Sequence, residues 1–472
     1  MFENFNKRFI RDTGITNFGI GDLILGYSID LQYTSYRGTW VSCINSLSLE
    51  IDGQSIPEER ISFNLNGKDF MIHELPELFR EYWYVLDYAH LKVFQDGGLP
   101  AGSTHTVTVT MGEHNAYGNY SGDGTYPIMK NRVSKELTVL PDVYQICEPG
   151  EPAPEYTDIK LCCSLYSFTE PFLAHEWSVE DCIIKAHELG FEGVELVASQ
   201  MVPNYPYPTD AWIEWYKETL RKNNLKMVCW SAYVDVGLRS DREQTEEEIY
   251  QYAVNDMINA KRCGAEVVRS QFGITANVFR RMLPICKKLG IRLVIELHSP
   301  HSPDVPIWQE LLAVMREPGN EEGWLGVCPD FGIFQNKPHQ LAIDNAKAAG
   351  LDENLINGVI DGRVTQDEIM KMEGMGFPQK MSLGMMARPA AAVPADMEKI
   401  IDQTRYIHGK FHYIHEDYTC RAIPYDEIMP YVINGYKGWI NAEYEGHGEA
   451  PVDISEEHLR RYRIMMDRYL KS

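Results

Sequence analysis

The stretch "RLVIELHSP", residues 292–300, carries the pattern from which the fold is deduced. Its apolar run, residues 293–295, is typical of a buried strand, and Pro300 ends it. Glu296 and His298 lie two residues apart, so both side chains point to the same side of the strand. A carboxylate beside an imidazole at the end of an apolar strand is a candidate catalytic or metal-binding pair.

Seven further stretches have the same strand-like character and mostly alternate with segments of helical spacing, such as "SVEDCIIKAHELG". They cover residues 159–168, 193–199, 226–234, 266–273, 324–332, 405–414 and 438–446. Strand–helix alternation repeated eight times predicts a (β/α)8 TIM barrel over residues 159–472. A doubly wound open sheet is the alternative, disfavoured by the strand count and by the lack of a G-x-G-x-x-G motif after the first strand. The long stretch 335–404 is expected to add helices over the barrel mouth.

The first part of the chain has a different pattern. "GYSIDLQYTSYRG", "SLSLEIDGQSI", "RISFNLNGKDF" and "STHTVTVTMGEH" alternate apolar and polar positions, with Asp-Gly and Asn-Gly turn signals. This pattern predicts an antiparallel β-sandwich over residues 1–146. The segment 147–158, rich in Pro and Glu, is predicted to be an extended linker between the two domains.

Composition narrows the classes of partner. The 44 Lys and Arg against 68 Asp and Glu give a formal net charge of −24, which disfavours nucleic acid and anionic membrane surfaces. The N-terminal "MFENFNKRFIRDTG" lacks the apolar segment of a signal peptide, so a cytoplasmic location is expected. The ten cysteines form no C-x-x-C pair and are predicted to be reduced core residues. The acidic surface is compatible with a soluble homo-oligomer.

Four consecutive predicted strands carry residues that bind metals: Glu296, Asp330, His408 and Glu443. Each alone has a structural explanation, such as an ion pair, a helix cap or a hydrogen-bonded core residue. Barrel closure brings the ends of successive strands together, so the four are predicted to form one site. Three carboxylates and one imidazole suit a hard divalent cation, with Mn²⁺ favoured and Mg²⁺ as the alternative.

The barrel half resembles the xylose-isomerase-like barrels of the sugar phosphate isomerase/epimerase superfamily, on the stretches "GFEGVEL", "VIELHSP", "CPDFG", "IHGKF" and "AEYEG". The resemblance implies metal ligands from strands five to eight, which fall on the four residues named above. The first half, on "YRGTWVSCINSLSLEIDGQSI" and "GGLPAGSTHTVTVTM", resembles the β-subunit of bacterial C-glycoside deglycosidases, whose α-subunit is such a barrel. The chain therefore resembles the two subunits fused.

This resemblance implies a reaction. A separate oxidoreductase supplies a 3-oxo-glycoside, a base removes the C2 proton, and β-elimination releases the aglycone from C1 without hydrolysis. His298 is expected to be the base, or else to orient Glu296 through a hydrogen bond. Lys410 is expected to polarise a substrate oxygen, or else to form an ion pair. His412 and His415 are further candidates, for protonating the departing carbon.

Other residues are expected to bind substrate. Arg269 and Gln271 suit sugar hydroxyls, and Trp230, Tyr233 and Phe331 would stack on the aglycone or pack in the core. One competing function is a metal-dependent sugar or inosose isomerase, epimerase or dehydratase on the same barrel. The other, from a different class, is a carbohydrate-binding protein on an inactive barrel, which the four retained ligand-type residues disfavour.

Overall fold

A computed structural model describes residues 7–116, 125–152 and 154–471. The chain divides into two compact units. The first comprises Met1–Pro149 together with Asp241–Tyr252, and the second comprises Gly150–Ser240 together with Ala253–Ser472. Each unit is built around its own buried apolar residues.

The first unit is rich in strands. Its strands are β1 (Ile10–Ile20), β2 (Leu23–Gln32), β3 (Thr39–Trp40), β4 (Ile44–Ile51), β5 (Gln54–Ser55), β6 (Ile61–Leu65), β7 (Lys68–Met71), β8 (Tyr82–Trp83), β9 (Tyr88–Phe94), β10 (Thr104–Glu113) and β11 (Met129–Gln145). Nine of them hydrogen-bond in the order β5-β4-β10-β11-β1-β2-β9-β6-β7, and β3 pairs with β8. Three short 3₁₀ helices, Val41–Cys43, Glu58–Arg60 and Ile72–Glu77, connect strands.

The long strand β11 joins two halves of this sheet. Its first part pairs antiparallel with β10, and its last part pairs with β1 in parallel. Side chains from both halves, including Leu49 and Val109 on one side and Ile29 and Leu91 on the other, share one core. The predicted sandwich is thus present with one correction, because the β1–β11 pair is parallel rather than antiparallel.

The second unit is the predicted TIM barrel. Its eight parallel strands are β12 (Ile159–Ser164), β13 (Gly193–Val197), β14 (Lys226–Ser231), β15 (Val267–Ser270), β16 (Arg292–Leu297), β17 (Leu325–Pro329), β18 (Ile407–Phe411) and β19 (Gly438–Tyr444). They follow one another in the order β17-β16-β15-β14-β13-β12-β19-β18. Parallel bridges from Val327 to Thr404 and from Asp330 to His408 close the gap between β17 and β18.

Helices follow the barrel strands. Those outside the long 335–404 stretch are Thr169–Leu173, Val179–Glu188, Ala198–Met201, Asp210–Lys222, Glu246–Cys263, Ala276–Leu289, Pro306–Met315, Tyr425–Gly435 and Ser455–Leu470, with 3₁₀ turns at Leu165–Phe168 and Phe331–Phe334. Side chains define several of the starts: Ser178, Thr209 and Thr275 each accept a hydrogen bond from a backbone N–H of the first turn. The helix Ala276–Leu289 ends at Gly290, whose φ of 69° favours glycine.

The stretch between β17 and β18 folds into the expected extra helices. They are Gln340–Ala348, Glu353–Ile360, Gln366–Lys371 and Phe377–Met386, followed by 3₁₀ turns at Pro394–Lys399 and Ile401–Gln403. The four helices enclose a small core of their own that includes Ile356, Ile369 and Leu383. We call residues 340–386 the helical insertion.

All ten cysteines are free, and all but Cys147 and Cys420 are buried. In the ranges that the structure describes, no helix is both long enough and apolar enough to cross a bilayer.

Candidate active site

Four buried side chains meet inside the barrel. Glu296 is the second-last residue of β16, Asp330 directly follows β17, and Glu443 is the second-last residue of β19. His408 is the second residue of β18 rather than its end, yet the bridge to Asp330 places it level with the other three. Each of the four offers one ligand atom, and these atoms all lie within 4.8 Å of one another.

Two atoms of this cluster lack the partners that buried polar atoms normally have. Asp330 accepts a hydrogen bond from the N–H of Gly332 with Oδ1 at 2.7 Å, but its Oδ2 has no hydrogen-bond partner. The Nδ1 of His408 lies 2.8 Å from Glu296 Oε1 and 3.2 Å from Glu443 Oε2 without forming a properly oriented hydrogen bond. Because buried polar groups are normally satisfied, the donor set fits a bound cation.

Glu195 on β13 holds His408 in place. Its Oε2 accepts a hydrogen bond from His408 Nε2–H at 2.9 Å, which leaves Nδ1 as the ligand atom. Its Oε1 accepts from Ser164 Oγ at 2.8 Å and from Asn441 Nδ2 at 3.0 Å. Burial opposes ionisation, but the charges of His408 and Arg269 lower the pKa of Glu195 to about 2. Such a carboxylate–histidine pair is the usual support of a metal-binding imidazole.

Negative charge exceeds positive charge around the cluster. Five carboxylates are involved: those of Glu195, Glu296, Asp330, Glu443 and Glu445. Besides the imidazole of His408, two cationic side chains face them: Arg269 lies 3.7 Å from Glu296 Oε2, and Lys410 lies 3.8 Å from Asp330 Oδ2. Burial raises the pKa of Asp330 to about 7 despite the nearby Lys410. Burial also acts against ionisation of Glu296, but the Arg269 charge holds its pKa well below the usual value. A divalent cation would balance the remaining negative charge.

His298 and Lys410 form a second group beside the four ligands. The carbonyl of Ser299 can only accept, so His298 Nδ1, at 2.7 Å, carries the proton. Its Nε2 then accepts a hydrogen bond from Lys410 Nζ at 2.9 Å. Lys410 also contacts Glu445 Oε2 at 2.5 Å. Burial works against the charge of Lys410, but Asp330 and Glu445 raise its pKa above the usual value.

Two cavities meet at His298 and Glu445. The first, of about 150 Å³, is also lined by Glu296, Glu443, Arg269, Gln271, Tyr233 and Tyr166. The second is larger, about 430 Å³, and is lined by Lys410, His412 and residues contributed by the chain between β17 and β18. Glu296, Glu443 and His298 are therefore open to the small cavity, and Lys410 is open to the roomier one beside it.

Comparison with known proteins agrees with this architecture. Residues 183–465 match the family described as xylose isomerase-like TIM barrel. The chain belongs to this family. Residues 5–117 match the family described as C-glycoside deglycosidase beta subunit. The chain is thus a fusion of a β-subunit-like domain with an α-subunit-like barrel, as the sequence predicts.

Individual relatives cover each half. The 3'-dehydrocarminate deglycosidase alpha subunit of Microbacterium sp is 27% identical over 330 residues, which is 65% of this chain and 94% of that protein. The C-glycoside deglycosidase beta subunit of Eubacterium cellulosolvens is 32% identical over 97 residues, 20% of this chain and 66% of that subunit. Among solved structures, the IOLI protein with a binding zinc atom superposes with a TM-score of 0.40 and 11% identity, over 66% of this chain and 98% of that one.

In this xylose isomerase-like barrel, most residues predicted to bind substrate lie at a cavity. Arg269, Gln271 and Tyr233 line the first cavity, and His412 lines the second. His415 lines neither of them. The sequence alone could not show which side chains line which cavity, because the direction of each side chain depends on where its strand ends.

The structure corrects the prediction for Trp230 and Phe331. Trp230 is fully buried, and its indole N–H donates to Asp256 Oδ1 at 3.0 Å. Asp256 lies on the helix Glu246–Cys263, so the indole packs outward into the helical layer. Phe331 is also fully buried and packs edge-on against Tyr425. Neither residue lines either of the two cavities.

Several residues of the site were missed or undervalued. The sequence favours a packed, hydrogen-bonded barrel residue at Glu195, and the structure shows that its partner is His408. Glu445 contacts Lys410 at the site, and its two-residue spacing from Glu443, which places both on one strand face, was the available signal. His339 and Arg388, which line the second cavity, lie in the stretch after β17 and had no signal in the sequence.

Proposed function

We propose that the chain is a metal-dependent C-glycoside deglycosidase. It acts on 3-oxo-C-glucosides, and the same chemistry extends to 3-oxo-O-glycosides. Removal of the C2 proton gives an enolate, and β-elimination then breaks the bond from C1 to the aglycone, which makes the enzyme a carbon–carbon lyase. The observation that carries the proposal is the cluster of Glu296, Asp330, His408 and Glu443 directly beside the His298–Lys410 pair. Relatives of both halves that are named as deglycosidase subunits support it.

The four ligands suit Mn²⁺, with Mg²⁺ as the alternative, because the set has three carboxylates, one imidazole and no thiolate. When bound, the cation acts as a Lewis acid that stabilises negative charge developing on the sugar oxygens. Glu195 keeps His408 in the orientation and tautomer that the site needs.

The contacts of Lys410 control the base. Without substrate, Lys410 donates to His298 Nε2, so that nitrogen cannot take a proton. When a sugar oxygen accepts the hydrogen bond from Lys410 instead, Nε2 is released and can remove the C2 proton. Glu445 keeps the ammonium group nearby during this change. Substrate binding thereby activates the base.

The first cavity binds the sugar. Arg269 and Gln271 line it together with Tyr233 and can donate hydrogen bonds to hydroxyl groups. The guanidinium of Arg269 stacks on the ring of Tyr233, 5.4 Å from its centroid, which fixes its direction. The 3-oxo group must come from a separate oxidoreductase, because the proposed chemistry starts from the ketone.

The nature of the products tests this proposal against an isomerase, epimerase or dehydratase on the same barrel. The Mn²⁺-loaded chain is incubated with a 3-oxo-C-glucosyl flavone and the products are separated by chromatography with mass detection. We expect free aglycone and a 1,2-unsaturated 3-oxo sugar. An intact glycoside with an inverted carbon would assign epimerase activity instead, and no change in the substrate would remove the deglycosidase function.

A further inference from the structure

The second cavity adjoins the sugar cavity. His298 and Glu445 line both, so a ligand whose sugar lies at the metal cluster extends from there into the larger space. The larger cavity has about 430 Å³ against about 150 Å³ for the sugar cavity. Its position and size suit the aglycone part of a glycoside.

The lining of this cavity has a distinct chemistry. Met385, Met386 and Pro389 supply an adaptable apolar wall, which suits flat ring systems of varied shape. Lys337 and Arg388 supply positive charge, which suits ionised oxygens. These features fit a planar phenol with several oxygens.

His412 lies in this cavity with a defined tautomer. Its Nδ1 is 3.1 Å from the backbone carbonyl oxygen of Glu445, which can only accept, so Nδ1 carries the proton. The ring stacks on His339 with centroids 4.2 Å apart and an interplanar angle of 14°. The Nε2 atom therefore offers a lone pair. Burial outweighs the charge of Glu445 and lowers the pKa of His412 to about 4, which keeps the ring neutral.

A neutral imidazole is a base rather than a proton donor at rest. It can deliver a proton to a leaving carbon only after it has taken one from the ligand itself. We propose that His412 moves a proton from a phenol hydroxyl of the aglycone to the adjacent ring carbon that carries the sugar, and that the second cavity selects aglycones with such a hydroxyl. This inference rests on the proposed deglycosidase function.

The proton and electron balance is complete without a further reagent. His412 Nε2 takes the phenol proton and returns it to the sugar-bearing carbon, which becomes tetrahedral while the ring becomes a cyclohexadienone. After C2 deprotonation, the enolate electrons form the C1–C2 double bond and the C1–aglycone bond breaks. Its electron pair restores the aromatic ring as a phenolate, which takes a proton from water. Without the transfer, the leaving group would be an unstabilised aryl carbanion.

Three 3-oxo-glucosides and the Mn²⁺-loaded full chain test this inference. The first substrate is a C-glucosylated acylphloroglucinol with free hydroxyls beside the sugar-bearing carbon, and the second is its fully O-methylated analogue. The third, a 4-nitrophenyl O-glucoside, leaves through oxygen and needs no such transfer. We expect the wild-type chain to cleave the first and third, and the methylated analogue to react at least about 100-fold more slowly.

Two variants complete the test. His412→Gln should lower cleavage of the free C-glucoside about 100-fold or more and change that of the 4-nitrophenyl glucoside less than about threefold. His415→Gln, at a histidine outside both cavities, should change neither rate.

The outcomes separate the two proposals. Failure of the wild-type chain on all three substrates would overturn the deglycosidase function itself. If the chain cleaves the 4-nitrophenyl glucoside but treats the free and methylated C-glucosides alike, the proton transfer is wrong. Equal losses on both glucoside types in His412→Gln would also contradict it, because they would indicate a structural role. The comparison of the two C-glucosides needs no variant and holds even if His412→Gln folds poorly.

Discussion

Glu296 is the proposed metal ligand whose charge the site compensates most directly, through Arg269 at 3.7 Å. Glu296→Gln keeps the size of the side chain and removes its charge. We expect the loss of metal affinity to exceed the 10- to 100-fold that loss of a supporting residue typically costs. Metal content after gel filtration and aglycone release should fall together. Glu310→Gln, on an exposed position of the helix Pro306–Met315, is the matched control and should retain both.

Glu195 acts through His408 and is a positioning residue rather than a ligand. In Glu195→Gln the amide oxygen still accepts from His408 Nε2–H, but the charge that supports the imidazole is gone. We expect Mn²⁺ affinity to fall about 10- to 100-fold, with the maximal rate largely recovered at saturating Mn²⁺. Titration of activity against Mn²⁺ measures this. A maximal rate that stays low at saturation would instead place Glu195 in the reaction.

At the residue scale, the sequence predicted best where a polar residue lies near the end of an apolar strand. Glu296 and Glu443 meet in the cluster because each is the second-last residue of its barrel strand. For Trp230 the sequence left stacking and core packing open, because an aromatic residue suits either face of β14, and the structure shows packing. The partnership of Glu195 with His408 joins residues far apart in the chain and had no local signal.

At the scale of elements, all eight barrel strands exist where the apolar runs predicted them, but most predicted ends extend too far. For example, a strand was predicted over residues 405–414, but β18 covers only Ile407–Phe411. Several of the excess residues are polar and line the cavities, among them Gln271, His298 and His412. Apolar pattern locates a strand, but the point at which the chain leaves the sheet depends on tertiary packing.

The helical insertion has a core separate from the barrel. Leu383 is fully buried in it, so Leu383→Ala should destabilise these helices by about 2–5 kcal/mol. Because Met385 and Met386 on the same helix line the second cavity, we expect a raised KM for glycosides with large aglycones. Hydrogen exchange should increase within the insertion, while metal content stays unchanged.

Met381→Ala is the matched control for Leu383→Ala. Met381 lies on the same helix with 43% of its surface exposed, so its truncation leaves no cavity. It should change neither hydrogen exchange nor KM. Loss of bound metal in Leu383→Ala would contradict the separation of the insertion core from the metal cluster.

At the scale of the whole molecule, the change of pattern near residue 147 predicted two domains of different class, and the structure contains two units of these classes. The parallel pairing of β1 with β11 was not predictable, because it joins segments more than a hundred residues apart. The second cavity could not be predicted either, because it forms where the helical insertion lies against β18 and the loop after β19.

Metal should stabilise only the barrel unit, since all four ligands belong to it. At a free Mn²⁺ concentration of about 100 Kd, linkage predicts about 2.7 kcal/mol of added stability. Calorimetry should show a shift in the transition of the barrel and none in that of the first unit. Glu296→Gln should abolish the shift. An equal shift of both transitions would contradict a metal site confined to the barrel.

The proposed reaction is a metal-dependent elimination from a 3-oxo-glycoside. Its most direct test uses EDTA-treated chain, a 3-oxo-C-glucosyl flavonoid, and parallel incubations with and without added Mn²⁺, with the free aglycone followed by chromatography and mass detection. We expect aglycone only where Mn²⁺ is present. Release at the same rate without metal, or an intact glycoside with metal, would contradict it.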